Sequence, residues 1–192
     1  MIRNDTTFVI VGLGLLGGSY AMGLKEAGYR VLGVARRQET IDHALAHHMI
    51  DAGTLDPEEF LDQADIVVFA LYPHIMIDWI HEHQNAFRPG TLLTDVSGVK
   101  VNVADKVQSF LRDDVEFIAA HPMAGRETSG IEYANTEMFQ DANYIIVPTE
   151  KNTKEAVETS RQLAEILQFH HIATLSMQEH DEMIGFLSQL TH

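Results

Sequence analysis

Residues 7–37 read TFVIVGLGLLGGSYAMGLKEAGYRVLGVARR, two apolar runs on either side of a glycine cluster and a helical segment. The apolar run Thr7 to Val11 has the composition of a buried strand, and Leu15 to Ala27 carries a mostly apolar helical pattern that stops at Gly28. Between them Gly12, Gly14 and Gly17 form G-x-G-x-x-G, and a second apolar run, Arg30 to Ala35, follows. This is strand, tight turn, helix, strand, the opening unit of a parallel sheet.

Working outward, Thr40 to His48 is predicted as a helix with Ile41, Ala44 and Leu45 on one side. Ile66 to Leu71 is nearly continuously apolar, as in a strand covered by helices on both faces, and Pro73 limits its extension. Further strands are predicted at Thr91 to Thr94, Val115 to Ala120, Tyr144 to Val147 and His171 to Leu175, with helices over Val101 to Leu111 and Lys154 to Leu167. The rhythm predicts an α/β fold: a doubly wound, mostly parallel sheet of Rossmann type over residues 1–175. From Gln178 the helical period resumes through Met183, Ile184, Leu187 and Leu190, so residues 176–192 read as the first helix of a truncated carboxyl-terminal helical domain.

At 192 residues and 45% hydrophobic, the chain can bury a full core. It contains no cysteine, which removes disulfides and thiolate chemistry and fits a reducing compartment. No run of about 18 apolar residues occurs, so a cytoplasmic protein without membrane attachment is expected. The net charge of -15 opposes binding to nucleic acid or an anionic membrane.

In its strand-to-helix setting the glycine motif points to a dinucleotide, cradled by Gly12, Leu13, Gly14, Leu15, Leu16 and Gly17, with Leu71 at the end of a neighbouring strand. NAD sites place an acidic residue about 20 positions beyond the motif, for the ribose 2'-hydroxyl. Here that strand ends in Ala35, Arg36 and Arg37, with no carboxylate before Glu39. Guanidinium groups suit a 2'-phosphate, so NADP is preferred over NAD, with Arg36 as its reader; a solvated loop is the plain alternative.

Of eleven histidines, His43, His47, His48, His81 and His83 fall on helices or their ends and read as surface residues. His43 and His47 stand four apart but lack a third ligand, and no metal site is expected. His121 differs, because it follows a strand and precedes Pro122 and the stretch MAGRETSG, where an open α/β sheet places its ligands.

HPMAGRETSGIEYA (residues 121–134) and HDEMIGFLSQLTH (residues 180–192), with TDVSGVK (residues 94–100) and the glycine motif, resemble the signatures of prephenate and arogenate dehydrogenases. The resemblance implies oxidative decarboxylation of prephenate or arogenate with hydride transfer to NADP or NAD, in tyrosine biosynthesis. It assigns His121 as the base that accepts the substrate hydroxyl's proton, and Ser97 as a serine that orients it. Gly98 stands where the family's serine is expected, so a helix cap is the other reading of Ser97, and a binder of local backbone that of Asp95. The resemblance places His192 in the substrate pocket and leaves His180 structural or behind the site, with Gln189 replacing a histidine of some members. Arg126 and Glu127 flank the crevice as candidate substrate contacts, or as a salt-linked loop. A homodimer through the missing helical domain, and a carboxylate-binding arginine farther along the chain, are also implied. Two other readings stay open: a related NADP-dependent dehydrogenase acting on another small acid, and a non-catalytic NADP-binding or sensing module.

Overall fold

The computed structural model describes residues 1–98, 100, 102–125 and 127–190. Strands β1 (Thr7–Val11), β2 (Arg30–Val34), β3 (Ala52–Thr54), β4 (Ile66–Phe69), β5 (Leu92–Asp95), β6 (Glu116–Pro122), β7 (Asn143–Val147) and β8 (His171–Thr174) form one sheet in the order β3-β2-β1-β4-β5-β6-β7-β8. β1 to β6 run parallel, β7 is antiparallel to β6, and β8 is parallel to β7. The chain builds outward from β1 to β3 and then returns to β4 on the other side of β1. That reversal opens a crevice beyond the carboxyl ends of β1 and β4, where doubly wound sheets bind ligands.

The apolar runs are explained by two core layers, one on each face. Phe8 and Ile10 of β1, Ile66 and Val68 of β4, and Ile118 and Ala120 of β6 pack into the first layer, with Tyr20, Leu24, Ile41 and Leu163. Their alternates Val9, Val11, Val67, Phe69, Phe117 and Ala119 pack into the second, with Met76, Ile80, Val103 and Val107. Every residue of β1 and β4 is buried, because helices cover both sides.

Those helices are α1 (Leu15–Glu26), α2 (Gln38–Ala46), α3 (Pro73–His83), α4 (Val103–Phe110), α5 (Glu137–Gln140), α6 (Lys154–Ile166) and α7 (Met177–Leu190). Pro73 opens α3 at its first turn, where a missing N–H costs nothing. α4 begins after Asn102, which has a left-handed φ of 61°; Val101, where the expected helix starts, lies outside the described residues. β3 and α5 carry too few residues for a periodic signal, and the sequence reading lacks both.

β6 continues past the predicted end at Ala120, through His121 and Pro122, because β7 pairs with it: His121 lies opposite Ile145 and Pro122 opposite Tyr144. β2 instead stops at Val34, and the Ala35 N–H donates to the Thr54 carbonyl at 3.2 Å. α7 leaves the sheet with one buried residue along its length, His180. No helix among the described residues is long and apolar enough to cross a membrane.

Candidate active site

The glycine loop joins β1 to α1 at the crevice. Gly12 has φ +94°, and a Cβ there would stand 2.5 Å from the Ala70 carbonyl oxygen, so the turn both requires glycine's left-handed backbone and leaves no room for a side chain. A Cβ at Gly17 would fall 1.8 Å from the Gly12 carbonyl oxygen, so this glycine lets α1 close on β1. Gly14 has open space where a Cβ would be, and it begins α1 with no side-chain cap. The donors of the first helical turn therefore face an open cradle suited to a diphosphate. Leu13 is buried beneath the loop, Leu15 and Leu16 are half-buried, and Leu71 borders Gly12 from the end of β4.

Beside Gly14 lies a recess of about 500 Å3, lined by Arg37, Thr40 and His43 from the start of α2 and by Ile131 and Glu132 from the facing loop. Arg36 and Arg37 are both exposed, and Arg37 is the one that lines this recess, although Arg36 was the residue favoured from sequence. Glu39 lines it as well. A depression of about 370 Å3, bordered by Ile66, Leu92 and Val115, lies at the amino ends of the strands, away from these groups.

One strand beyond β4 is a buried charged cluster. Asp95 ends β5, and its carboxylate accepts from the Lys100 ammonium at 2.7 and 2.6 Å, with both side chains wholly inaccessible to water. The same carboxylate accepts from the Ala120 N–H at 3.1 Å and from the Ser97 hydroxyl at 2.5 Å. Burial pulls the Lys100 ammonium below its usual range, and the Asp95 charge opposes that shift. Asp95 thus braces the backbone one residue before His121, a role wider than the local backbone contact expected of it.

His121 is half-buried at the end of β6, and its Nδ1 lies 2.9 Å from Nε2 of the buried His180 on α7. The rings meet edge to face, with centroids 5.2 Å apart. At its other nitrogen, a Cβ on Gly98 would stand 3.0 Å from Nε2. Glycine at 98 keeps that approach open, and the serine hydroxyl one place earlier donates to the Asp95 carboxylate. Burial, then the positive Lys100, then His180 lower the His121 pKa to about 4, against an opposing contribution from Asp95. The ring is therefore neutral at physiological pH, with one nitrogen engaged by His180 and the other beside the gap at Gly98.

Ser97, His121 and the glycine loop each lie at the carboxyl end of a strand, after β5, on β6 and after β1 respectively. Glu127 is exposed in the loop after β6. Arg126 and His192, also expected near the substrate, lie outside the described residues. Sequence reasoning missed the burial of Lys100, for which TDVSGVK carries no local signal, and the contact of His180 with His121 across 59 positions.

A family model described as the prephenate dehydrogenase nucleotide-binding domain matches residues 20–172. Prephenate dehydrogenase of Bacillus subtilis is 30% identical over an alignment that covers 100% of this chain and 52% of that protein. Arogenate dehydrogenase of Synechocystis superposes with a TM-score of 0.88 at 28% identity, over 96% of this chain and 65% of that one. Prephenate dehydrogenase of Aquifex aeolicus, solved with hydroxyphenyl propionate and NAD+, gives a TM-score of 0.85 at 25% identity, over 94% of this chain and 63% of that one. The chain spans about half the length of the curated relatives it matches, 52% and 50% for two of them.

Proposed function

The chain belongs to the prephenate dehydrogenase nucleotide-binding-domain family, and we propose that its protein oxidatively decarboxylates prephenate or arogenate with a nicotinamide cofactor. The observation that carries the reading is a neutral imidazole, His121, held at a strand end beside the crevice that the glycine loop borders.

The open cradle at Gly14 and the uncapped start of α1 fit the diphosphate of such a cofactor. Its nicotinamide, when bound, accepts a hydride. Gly12, Gly14, Gly17 and the first turn of α1 hold the diphosphate, and Leu13, Leu15, Leu16 and Leu71 supply apolar walls. Arg37, helped by Arg36, reads a 2'-phosphate, which makes NADP the favoured form. His121 Nε2 faces the hydroxyl on the carbon that loses hydride and takes that proton as the carbonyl forms. The bond to the ring carboxylate then breaks, its electron pair makes the ring aromatic, and carbon dioxide leaves. The proton returns from His121 to the phenolate oxygen. A base with pKa near 4 is weak toward an alcohol, so proton transfer keeps pace with hydride departure, which acidifies the hydroxyl. Ser97 acts by holding Asp95, and Glu127, with Arg126 and His192, contacts the substrate.

We also propose that α7 begins a helical domain through which the protein dimerises, and that the protein works in the cytoplasm. Initial rates on the natural full-length protein, with NADP and NAD against prephenate and then arogenate, test the reading. Reduction of NADP with one of them supports it. A folded protein that binds NADP and reduces none with either substrate overturns it, in favour of another substrate or a sensing role.

A further inference from the structure

The structure assigns to His180 a positioning role that rests on this reading: it fixes His121 as the tautomer with hydrogen on Nδ1 and the lone pair on Nε2. A neutral imidazole has one donor and one acceptor nitrogen, so in the contact between His121 Nδ1 and His180 Nε2 one ring donates and the other accepts. The choice propagates to both outer nitrogens. If His180 donated, its own Nδ1 would carry a lone pair toward the Asp181 carboxylate 3.4 Å away, and His121 Nε2 would carry a hydrogen. If His121 donates, the His180 Nδ1–H points at that carboxylate, and His121 Nε2 is left as an acceptor beside Gly98. A carboxylate only accepts, so the second arrangement satisfies the three ring nitrogens of the His121–His180–Asp181 contacts, and the first sets a lone pair against the carboxylate.

The setting of α7 gives this contact its purpose. His180 is 1% exposed, the one buried residue of a helix whose Phe186 and Leu190 are 63% and 66% exposed. Met177 and Met183 of the same helix pack partly buried against the second core layer, whereas a fully buried polar side chain adds little packing energy and directly aims its hydrogen-bond partner. The base thereby depends on α7 being docked, which ties proton transfer to the segment that leaves the sheet.

The test is long-range 15N–1H correlation of the histidine rings in this chain, with the His121 signals identified by their loss in His121→Asn. The proposal expects a hydrogen-bearing Nδ1 and a bare Nε2 on His121. In His180→Leu it expects a mixture of tautomers, and in the full-length protein kcat reduced roughly 10- to 100-fold with KM changed less than about threefold. His180→Gln keeps an acceptor near the same place and restores most of both readouts. A hydrogen on His121 Nε2 in the unaltered protein overturns the proposal, as does an unchanged tautomer in a folded His180→Leu. If that variant fails to fold, the spectrum of the unaltered protein decides alone. The expected tautomer in a protein that turns over neither prephenate nor arogenate supports the pairing and sinks only the proposed reaction.

Discussion

Lys100→Met tests the buried charge pair behind His121. The variant keeps the side chain's length and leaves the Asp95 carboxylate inaccessible to water, with the Ser97 hydroxyl and the Ala120 N–H as donors but no cation. Breaking a buried pair by removing one partner costs about 3–5 kcal/mol. A domain has only about 5–15 kcal/mol in all, so the loss is a large share of its stability. With a urea dependence of about 2 kcal/mol per molar, the midpoint should fall by roughly 1.5–2.5 M. The paired change Asp95→Asn with Lys100→Met removes both charges and keeps an acceptor for Ala120, so it should recover most of that loss. His121 reports the same pair from the other side. Lys100 helps lower its pKa while Asp95 opposes, so the single variant should titrate above the value near 4. Urea melts of the three variants and the His121 ring shifts against pH measure both effects. A single variant within about 1 kcal/mol of the parent, or a double variant no more stable than the single, would refute the argument that this pair is buried and coupled.

Gly17→Ala puts a Cβ 1.8 Å from the Gly12 carbonyl oxygen, so α1 must shift from β1, and isothermal titration should find dinucleotide affinity reduced at least about tenfold. Arg37→Ala should raise the KM for NADP about tenfold or more while leaving NAD nearly unchanged; equal effects on the two would show that Arg37 does not read the 2'-phosphate. His121→Asn should lower kcat by about 10²- to 10⁴-fold with cofactor affinity retained, as cofactor titration beside turnover will show. The same histidine makes a pH prediction. An unfolded chain binds its proton below about 6.5 and the folded one only below about 4, so stability should fall as pH drops from 6.5 to 4. Because the ring is only partly buried, the loss should be about 1–2 kcal/mol, and pH-dependent melts of the parent should show it where those of His121→Asn do not.

Local pattern in the chain is enough to specify the glycine turn and the strands and helix around it. Residues 7–37 specify strand, glycine turn and helix because Gly12 and Gly17 sit where no other residue fits and because buried strands show no polar alternation. The strand before His121 was legible for the same reason. Tertiary structure alone decided what depends on residues far apart in the chain. β7 runs against β6, and that pairing draws His121 and Pro122 into the strand. Only the folded positions of β5 and the segment after it enclose Asp95 and Lys100 together, whereas the sequence pointed to no more than a local backbone contact for Asp95 and to no role for Lys100. The choice of Arg37 over Arg36 as the residue lining the recess depends on where α2 starts. His180 meets His121 because the first turn of α7 lies against the end of β6, and periodicity along α7 carries no record of that contact. A side chain's burial and hydrogen-bond partners are set by which segments pack against it, and local sequence patterns do not encode those neighbours.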